Sequence, residues 1–152
     1  MNKVLIALIT LVLSGCASVP TAPLSESSKA KQFLAPSENK AGVYVYRKDT
    51  PIGAALKKDV YINKECVGET AKGVFFYQEV EGGKEHFIST ESEFSPNGLT
   101  LNTETGRLYF IEQYLKPGFF VGGANVKIVD EEQGKSEVIK TQLGVKGTCT
   151  SI

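Results

Sequence analysis

Short runs of apolar and β-branched residues, alternating with polar ones and cut at even spacing by glycine-bearing turns, occupy residues 41–129 and leave few folds open to this chain. Val43 and Val45 alternate with Tyr44 and Tyr46 until Arg47-Lys48-Asp49 ends the run, the pattern of a strand with one buried face. Residues 50–56 carry Pro51 and Gly53 and read as a loop. Residues 60–62 and 66–68 flank Asn63-Lys64-Glu65, which puts an asparagine where a tight hairpin turn needs positive φ. Residues 74–80 form an aromatic, β-branched run that Gly82-Gly83 turns, and residues 86–90 return as a strand. Turns at Asn97-Gly98 and Thr105-Gly106 bracket Leu99 and Leu101, residues 108–114 follow as a long strand, and residues 124–129 form one more. The series predicts an all-β fold: a small antiparallel β-sandwich of about seven to nine strands with one or two short peripheral helices.

Two stretches carry helical signals. Asp130 stands where a helix N-cap would be, Glu131 and Glu132 suit the positive end of the helix dipole, and Gln133 completes a capping box. Val138 and Ile139 would face the sheet; a strand over residues 137–143 is the competing assignment, because Gly134 costs about 1 kcal/mol inside a helix. Residues 25–34 place Ala30, Phe33 and Leu34 at helical spacing ahead of Pro36, which predicts a short helix docking Phe33 on the domain.

Upstream of the strands, Lys3 precedes an uncharged apolar run over residues 4–13, shorter than the roughly 20 residues a membrane-spanning helix needs. This is the hydrophobic region of an export signal. Leu13-Ser14-Gly15-Cys16 ends it, and that box resembles the one carried by bacterial lipoproteins. The resemblance implies a diacylglycerol on Cys16, cleavage before it, and acylation, with palmitate among the chains, of the new N-terminus. The expected domains are therefore a lipoprotein signal peptide over 1–15, a lipidated N-terminus and flexible linker over 16–39, and a β-sandwich domain over 40–152. The linker assignment follows from a composition rich in Ser, Pro, Lys and Glu, and a coil of that length spans about 25 Å. Ala17 is not aspartate, the residue that retains many enterobacterial lipoproteins at the inner membrane, so the resemblance points to the outer membrane, with the domain lipid-anchored and facing the periplasm. With Cys16 taken by lipid, export to an oxidising compartment leads us to expect a Cys66–Cys149 disulfide closing a loop of about 84 residues. The alternative is that Cys66 packs as a small apolar side chain and Cys149 stays mobile.

Val60-Tyr61-Ile62-Asn63, Val67-Gly68-Glu69-Thr70 and Val80-Glu81-Gly82-Gly83-Lys84-Glu85-His86 resemble the core of a PEGA-type β-sandwich module, in which a hairpin is followed by a strand, a glycine turn and a returning strand. Lys64-Glu65 departs from the usual Gly-Lys and leaves the turn type open. A wider set, Tyr44-Val45-Tyr46-Arg47, Thr90-Glu91-Ser92-Glu93-Phe94-Ser95 and Tyr109-Phe110-Ile111, is similar to a bacterial lipoprotein family whose domain has no assigned function, a likeness that runs from about Phe33 to the end. It implies a small β-rich periplasmic domain and brings no catalytic residues with it.

Charge excludes one class of partner. The chain has 17 basic and 17 acidic residues, without the basic excess of a nucleic-acid binder. His86, the single histidine, is the one side chain whose ordinary pKa would make it a base near neutrality. It would need Ser89, Ser92 or Ser95 as nucleophile, and no nucleophile-elbow pattern surrounds any of them. We therefore expect no catalytic residues, no cofactor and no metal site, since the cysteines and His86 lack ligand spacing. Glu91 and Glu93, two apart on a presumed strand, would put both carboxylates on one face, as a cation site or as a solvated surface. The candidate binding residues are Tyr114, Phe119, Phe120 and Val121: three large apolar residues stand in a row between Pro117-Gly118 and Gly122-Gly123, so alternation cannot hide them on one face. Either a strand buried on both faces or an exposed apolar tip accounts for them. The functional expectation is an outer-membrane-anchored, non-enzymatic binding or structural module of the envelope, attached to the membrane through lipid on Cys16 and engaging an envelope protein or peptidoglycan. The alternative is a periplasmic hydrolase using His86.

Overall fold

The first strand, β1 (Lys40–Arg47), is buried on both faces rather than one: Val43 and Val45 point into one core, and Tyr44 and Tyr46 into another. The computed structural model describes residues 15–120 and 122–150, so residues 1–14 of the signal peptide expected over 1–15 and the candidate residue Val121 lie outside the described residues. β2 (Lys58–Ile62) and β3 (Glu65–Thr70) form the expected hairpin. Asn63 and Lys64 at its turn both have positive φ, 53° and 69°, the geometry that matches strand twist in a two-residue connection. β4 (Val74–Glu81), β5 (Glu85–Thr90), β6 (Gly98–Asn102), β7 (Leu108–Lys116), β8 (Gly123–Val129) and the two-residue β9 (Gln142–Leu143) complete the strands among the described residues.

They form two sheets, one of five strands in the order β8-β7-β1-β4-β9 and one of four in the order β3-β2-β5-β6. The all-β sandwich holds, but the Gly82-Gly83 turn does not close a hairpin. β4 belongs to the five-stranded sheet, and β5 pairs with β2 and β6 in the other. The reason is close packing at the corner. A Cβ on Gly82 would run into the Cα of Thr105 at 2.6 Å, and its N–H donates to Asn39, so the chain crosses between layers there. Between the sheets lie Val45, Val60, Phe76, Ile88, Leu101 and Ile111, each 2 % exposed or less. At one end of this interior Gln113, 1 % exposed, reaches across from β7: its amide donates to Thr90 at 2.7 Å and its carbonyl accepts from Thr70. Burying an amide is tolerable because both of its ends are satisfied.

The second core lies on the outer face of the five-stranded sheet, under two helices. Tyr44 stacks on Phe110 at 5.0 Å, with Phe75 and Val138 beside them. α2 (Glu131–Ile139) is a helix and not a strand. Asp130 caps it by accepting from the Gln133 N–H at 2.8 Å, worth about 1 kcal/mol. Gly134 sits where the helix crosses Phe110, and a Cβ there would lie 2.6 Å from Phe110 Cδ1 and nearer still to Cβ and Cγ. That contact, not helix propensity, explains the glycine. Val138 is fully buried, whereas Ile139, expected to face the sheet with it, is 58 % exposed.

α1 (Leu24–Ala30) changes the picture of residues 16–39 as a flexible linker. The segment lies along the domain: Ala17 N–H donates to Ala54, Ala22 N–H to Leu143, and Val145 N–H to Pro20, while Thr21 and Gly144 form a β-bridge. Ser27, 2 % exposed, accepts from the Leu143 N–H, and Phe33 meets Tyr44 and Phe110 edge-on at 5.4 and 5.9 Å. Backbone pairing and one aromatic side chain hold a segment whose composition alone reads as coil.

Candidate functional site

β1 and β7 run parallel, and β4 and β8 run opposite to them, so the loops at residues 48–57, 71–73, 91–97 and 117–122 gather at one end of the sandwich. The loop after β7 presents the apolar tip. Phe119 and Phe120 are 87 and 95 % exposed, so of the two readings the exposed tip is the one adopted. Three contacts shape it. The Glu93 carboxylate accepts from the N–H groups of Phe119 and Phe120 at 2.9 and 2.8 Å. The Lys116 ammonium donates to the carbonyls of Phe94 and Pro96. Phe94 stands edge-on to Phe119 at 6.2 Å. The loops at 91–97 and 117–122 are thereby tied into one unit with three aromatic rings at its surface.

Glu91 and Glu93 do not share a face, because β5 ends at Thr90 and both residues lie in the following loop. Glu91 faces the buried ammonium of Lys58 at 3.7 Å, while Glu93 caps the tip. The two carboxylates thus have different partners and form no paired cation site; no cluster suited to a metal occurs among the described residues. Sequence reasoning missed Glu93 as the organiser of the tip, and a lone carboxylate far off in sequence carries no signal of that role.

Tyr114 stands on β7 rather than in the tip loop. It is half-buried on β7, its hydroxyl accepts from the Asn125 side chain at 3.2 Å, and the Lys127 ammonium sits 5.5 Å from its ring centre. It lines a shallow depression of about 220 Å³ with Arg47, Ile52 and Glu112. Arg47 is 3 % exposed and donates to the carbonyls of Leu56 and Gly53, holding the 48–57 loop in place; burial pulls its guanidinium down to about 10. Ile52, at that loop's crest, is 75 % exposed.

His86 sits near the opposite end and is 5 % exposed. Its Nδ1 lies 2.9 Å from the Asn63 amide nitrogen and its Nε2 2.8 Å from the Glu81 carbonyl. The Asn63 amide donates to Nδ1, so Nε2 carries the proton and donates to Glu81. The Asn63 carbonyl in turn accepts from the Phe87 N–H. His86 therefore fastens the β2–β3 turn to β5 and to the end of β4. Ser92, one of its proposed nucleophiles, accepts from the Ala124 N–H at 3.0 Å beside the tip loop.

The three cysteines divide. Cys66 and Cys149 are joined, with their Cα atoms 6.0 Å apart, and the bridge pins the C-terminal tail beside β3, as expected from the sequence. Gly147 N–H to Val67 and Glu69 N–H to Thr148 extend the same attachment. Cys16 is free and exposed, one residue from Ala17.

These features define a small β-sandwich domain with a disulfide-fastened tail and an exposed aromatic tip. The chain belongs to the family described as "Protein of unknown function (DUF2846)", whose model matches residues 37–124, from just before β1 through the tip and the start of β8. It is also similar to a protein of Haemophilus influenzae described as "Uncharacterized protein", with 52 % identity over 137 residues that cover 90 % of this chain and 80 % of that one.

Proposed function

We propose that this chain is a bacterial lipoprotein, held in the outer membrane by acyl chains on Cys16, with its domain in the periplasm as a non-enzymatic binding or structural module of the cell envelope. The observation that carries this reading is the division of the cysteines: two are joined in a disulfide, and the third, in the lipoprotein-like box, is free and exposed. A disulfide is at home in an exported protein, where the compartment is oxidising. An exposed Cys16 is accessible to lipid transfer. The PEGA-like hairpin and the likeness to lipoprotein domains belong to the same reading, and Ala17 in place of aspartate favours the outer over the inner membrane.

The non-enzymatic part is supported by His86, both of whose ring nitrogens are used in fastening strands. The partners of the module would be the membrane, through lipid, and an envelope protein or peptidoglycan; the neutral charge balance disfavours nucleic acid. The test is metabolic labelling with a palmitate analogue followed by density separation of the membranes. The wild-type chain should take up label and sediment with the outer membrane, and Cys16→Ser should do neither. A labelled Cys16→Ser chain, or wild type recovered without label, would overturn the anchor. Hydrolytic turnover that a folded His86→Gln protein loses would restore the hydrolase alternative.

A further inference from the structure

The three most exposed large apolar side chains among the described residues, Phe120, Phe119 and Ile52, all stand at one end of the sandwich, with Phe94 beside them. The loops that carry them touch: a Cβ on Gly122 would lie 2.8 Å from Leu56 Cδ1. Cys16 is at the same end. Ala17 donates its N–H to Ala54, two residues from Ile52, at 2.8 Å. Only one peptide link, about 3.8 Å between Cα atoms, separates Cys16 from that anchored residue. A lipid on Cys16 would therefore have no slack, and the domain would not hang clear of the head groups as a flexible linker would allow.

Resting on the reading that Cys16 is acylated, we propose that this end of the sandwich is a membrane seat: Phe119, Phe120, Phe94 and Ile52 enter the interfacial layer of the phospholipid bilayer that holds the acyl chains. The seat fixes the domain upright, with the Gly82-Gly83 and Asn63-Lys64 turns farthest from the membrane. Aromatic and aliphatic side chains entering the head-group boundary add to a lipid anchor, and they do so best when held out rigidly. The Glu93 carboxylate does this by taking both tip N–H groups, which also leaves those donors satisfied away from water. Of the nearby cations, Lys48 pairs with Glu112 at 3.1 Å, Lys72 with Asp49 at 3.4 Å and Lys57 with Glu69 at 3.5 Å, while Lys116 donates to the Phe94 and Pro96 carbonyls, so the seat is chiefly apolar and its contact should change little with salt.

The test uses the mature, lipidated full chain reconstituted in vesicles of phosphatidylethanolamine and phosphatidylglycerol. A single new cysteine is introduced as Phe120→Cys, Ile52→Cys or Lys84→Cys and labelled with an environment-sensitive fluorophore; Lys84 lies in the turn at the far end. Retention of the Cys66–Cys149 bridge and a native circular dichroism spectrum establish folding, and Ile52, at an exposed crest, provides a site whose replacement leaves the core intact. The expected result is that nitroxide-bearing lipids remove most of the emission at 120 and at 52, and little at 84, at low and high salt alike. Vesicle flotation reports the anchor separately. A protein that floats while its label at 120 and 52 stays as unquenched as at 84 overturns the seat and leaves the anchor standing. A protein that does not float overturns the acylation and the seat with it. Photo-crosslinking from position 120 to an envelope protein instead of lipid in cells would also overturn it.

Discussion

Replacing Gly134 by alanine sets two effects of opposite sign against each other. Helix propensity alone favours Gly134→Ala by about 1 kcal/mol in the interior of α2. Packing opposes it. The new methyl group would lie 2.6 Å from Phe110 Cδ1 and closer to Cβ and Cγ, where unstrained carbon contacts are about 3.5–4.0 Å. Phe110 has no room to move: it is fully buried on β7, stacked on Tyr44 at 5.0 Å and met edge-on by Phe33 at 5.9 Å. Its Cβ is fixed by the strand, so rotating the ring relieves only part of the clash, and the helix must lift by an ångström or more. Overpacking of this kind costs about 1–3 kcal/mol, and lifting α2 also loosens Val138, which is 0 % exposed. The net expectation is a loss of up to about 2 kcal/mol, a fall in Tm of up to about 8 °C. Ser136→Ala, on the exposed side of the same helix, carries propensity without the contact and should be neutral or stabilising by up to about 0.5 kcal/mol. Thermal unfolding followed by circular dichroism measures both. A Gly134→Ala protein with a higher Tm than wild type would refute the close approach of α2 to Phe110.

Two further perturbations test the cores and the tail. Burial raises Tyr44 from 10.0 to about 12, and Tyr46 and Tyr77 are raised too, chiefly by burial. A raised folded-state pKa stabilises fully below about pH 10 and is lost as pH climbs through about 12, so the urea midpoint should fall across that window, less steeply for Tyr44→Phe; tyrosines that all ionise at the ordinary value in the native protein would contradict this. Removing the bridge with Cys149→Ser should cost up to about 4–5 kcal/mol, because the bridge joins residues separated by 83 positions, and thiol labelling of the denatured, unreduced wild type should find neither Cys66 nor Cys149 reactive.

What the sequence made legible were the features set by local chemistry. Alternation located the strands, and Asn63 marked a turn that does have positive φ. Asp130 marked a helix start that it does cap. Where the outcome depended on distant packing, the same signals were ambiguous. A glycine pair serves a hairpin and a corner between sheets equally well, and Thr105 against Gly82 decides for the corner. Tyrosine suits either face of a strand, because its ring can be buried while its hydroxyl finds an acceptor, as Tyr44 does at Ala30. Residues 16–39 are held by backbone pairing to Ala54 and Leu143, to which side-chain composition is blind. Three apolar residues in a row between Pro117-Gly118 and Gly122-Gly123 fitted a buried strand as well as an exposed tip; the exposure of Phe119 and Phe120 decides for the tip, and that Cys16 stands at the same end required the register of β1, β4, β7 and β8.

The central claim, that this is a lipid-anchored envelope protein, is tested most directly by mass spectrometry of the N-terminal tryptic peptide from membrane-extracted native protein. The account predicts a peptide running from Cys16 to Lys29, with a diacylglyceryl thioether on the Cys16 sulfur and an acyl group on its amine. A peptide that begins upstream of Cys16, or one carrying Cys16 as an unmodified thiol, would contradict it.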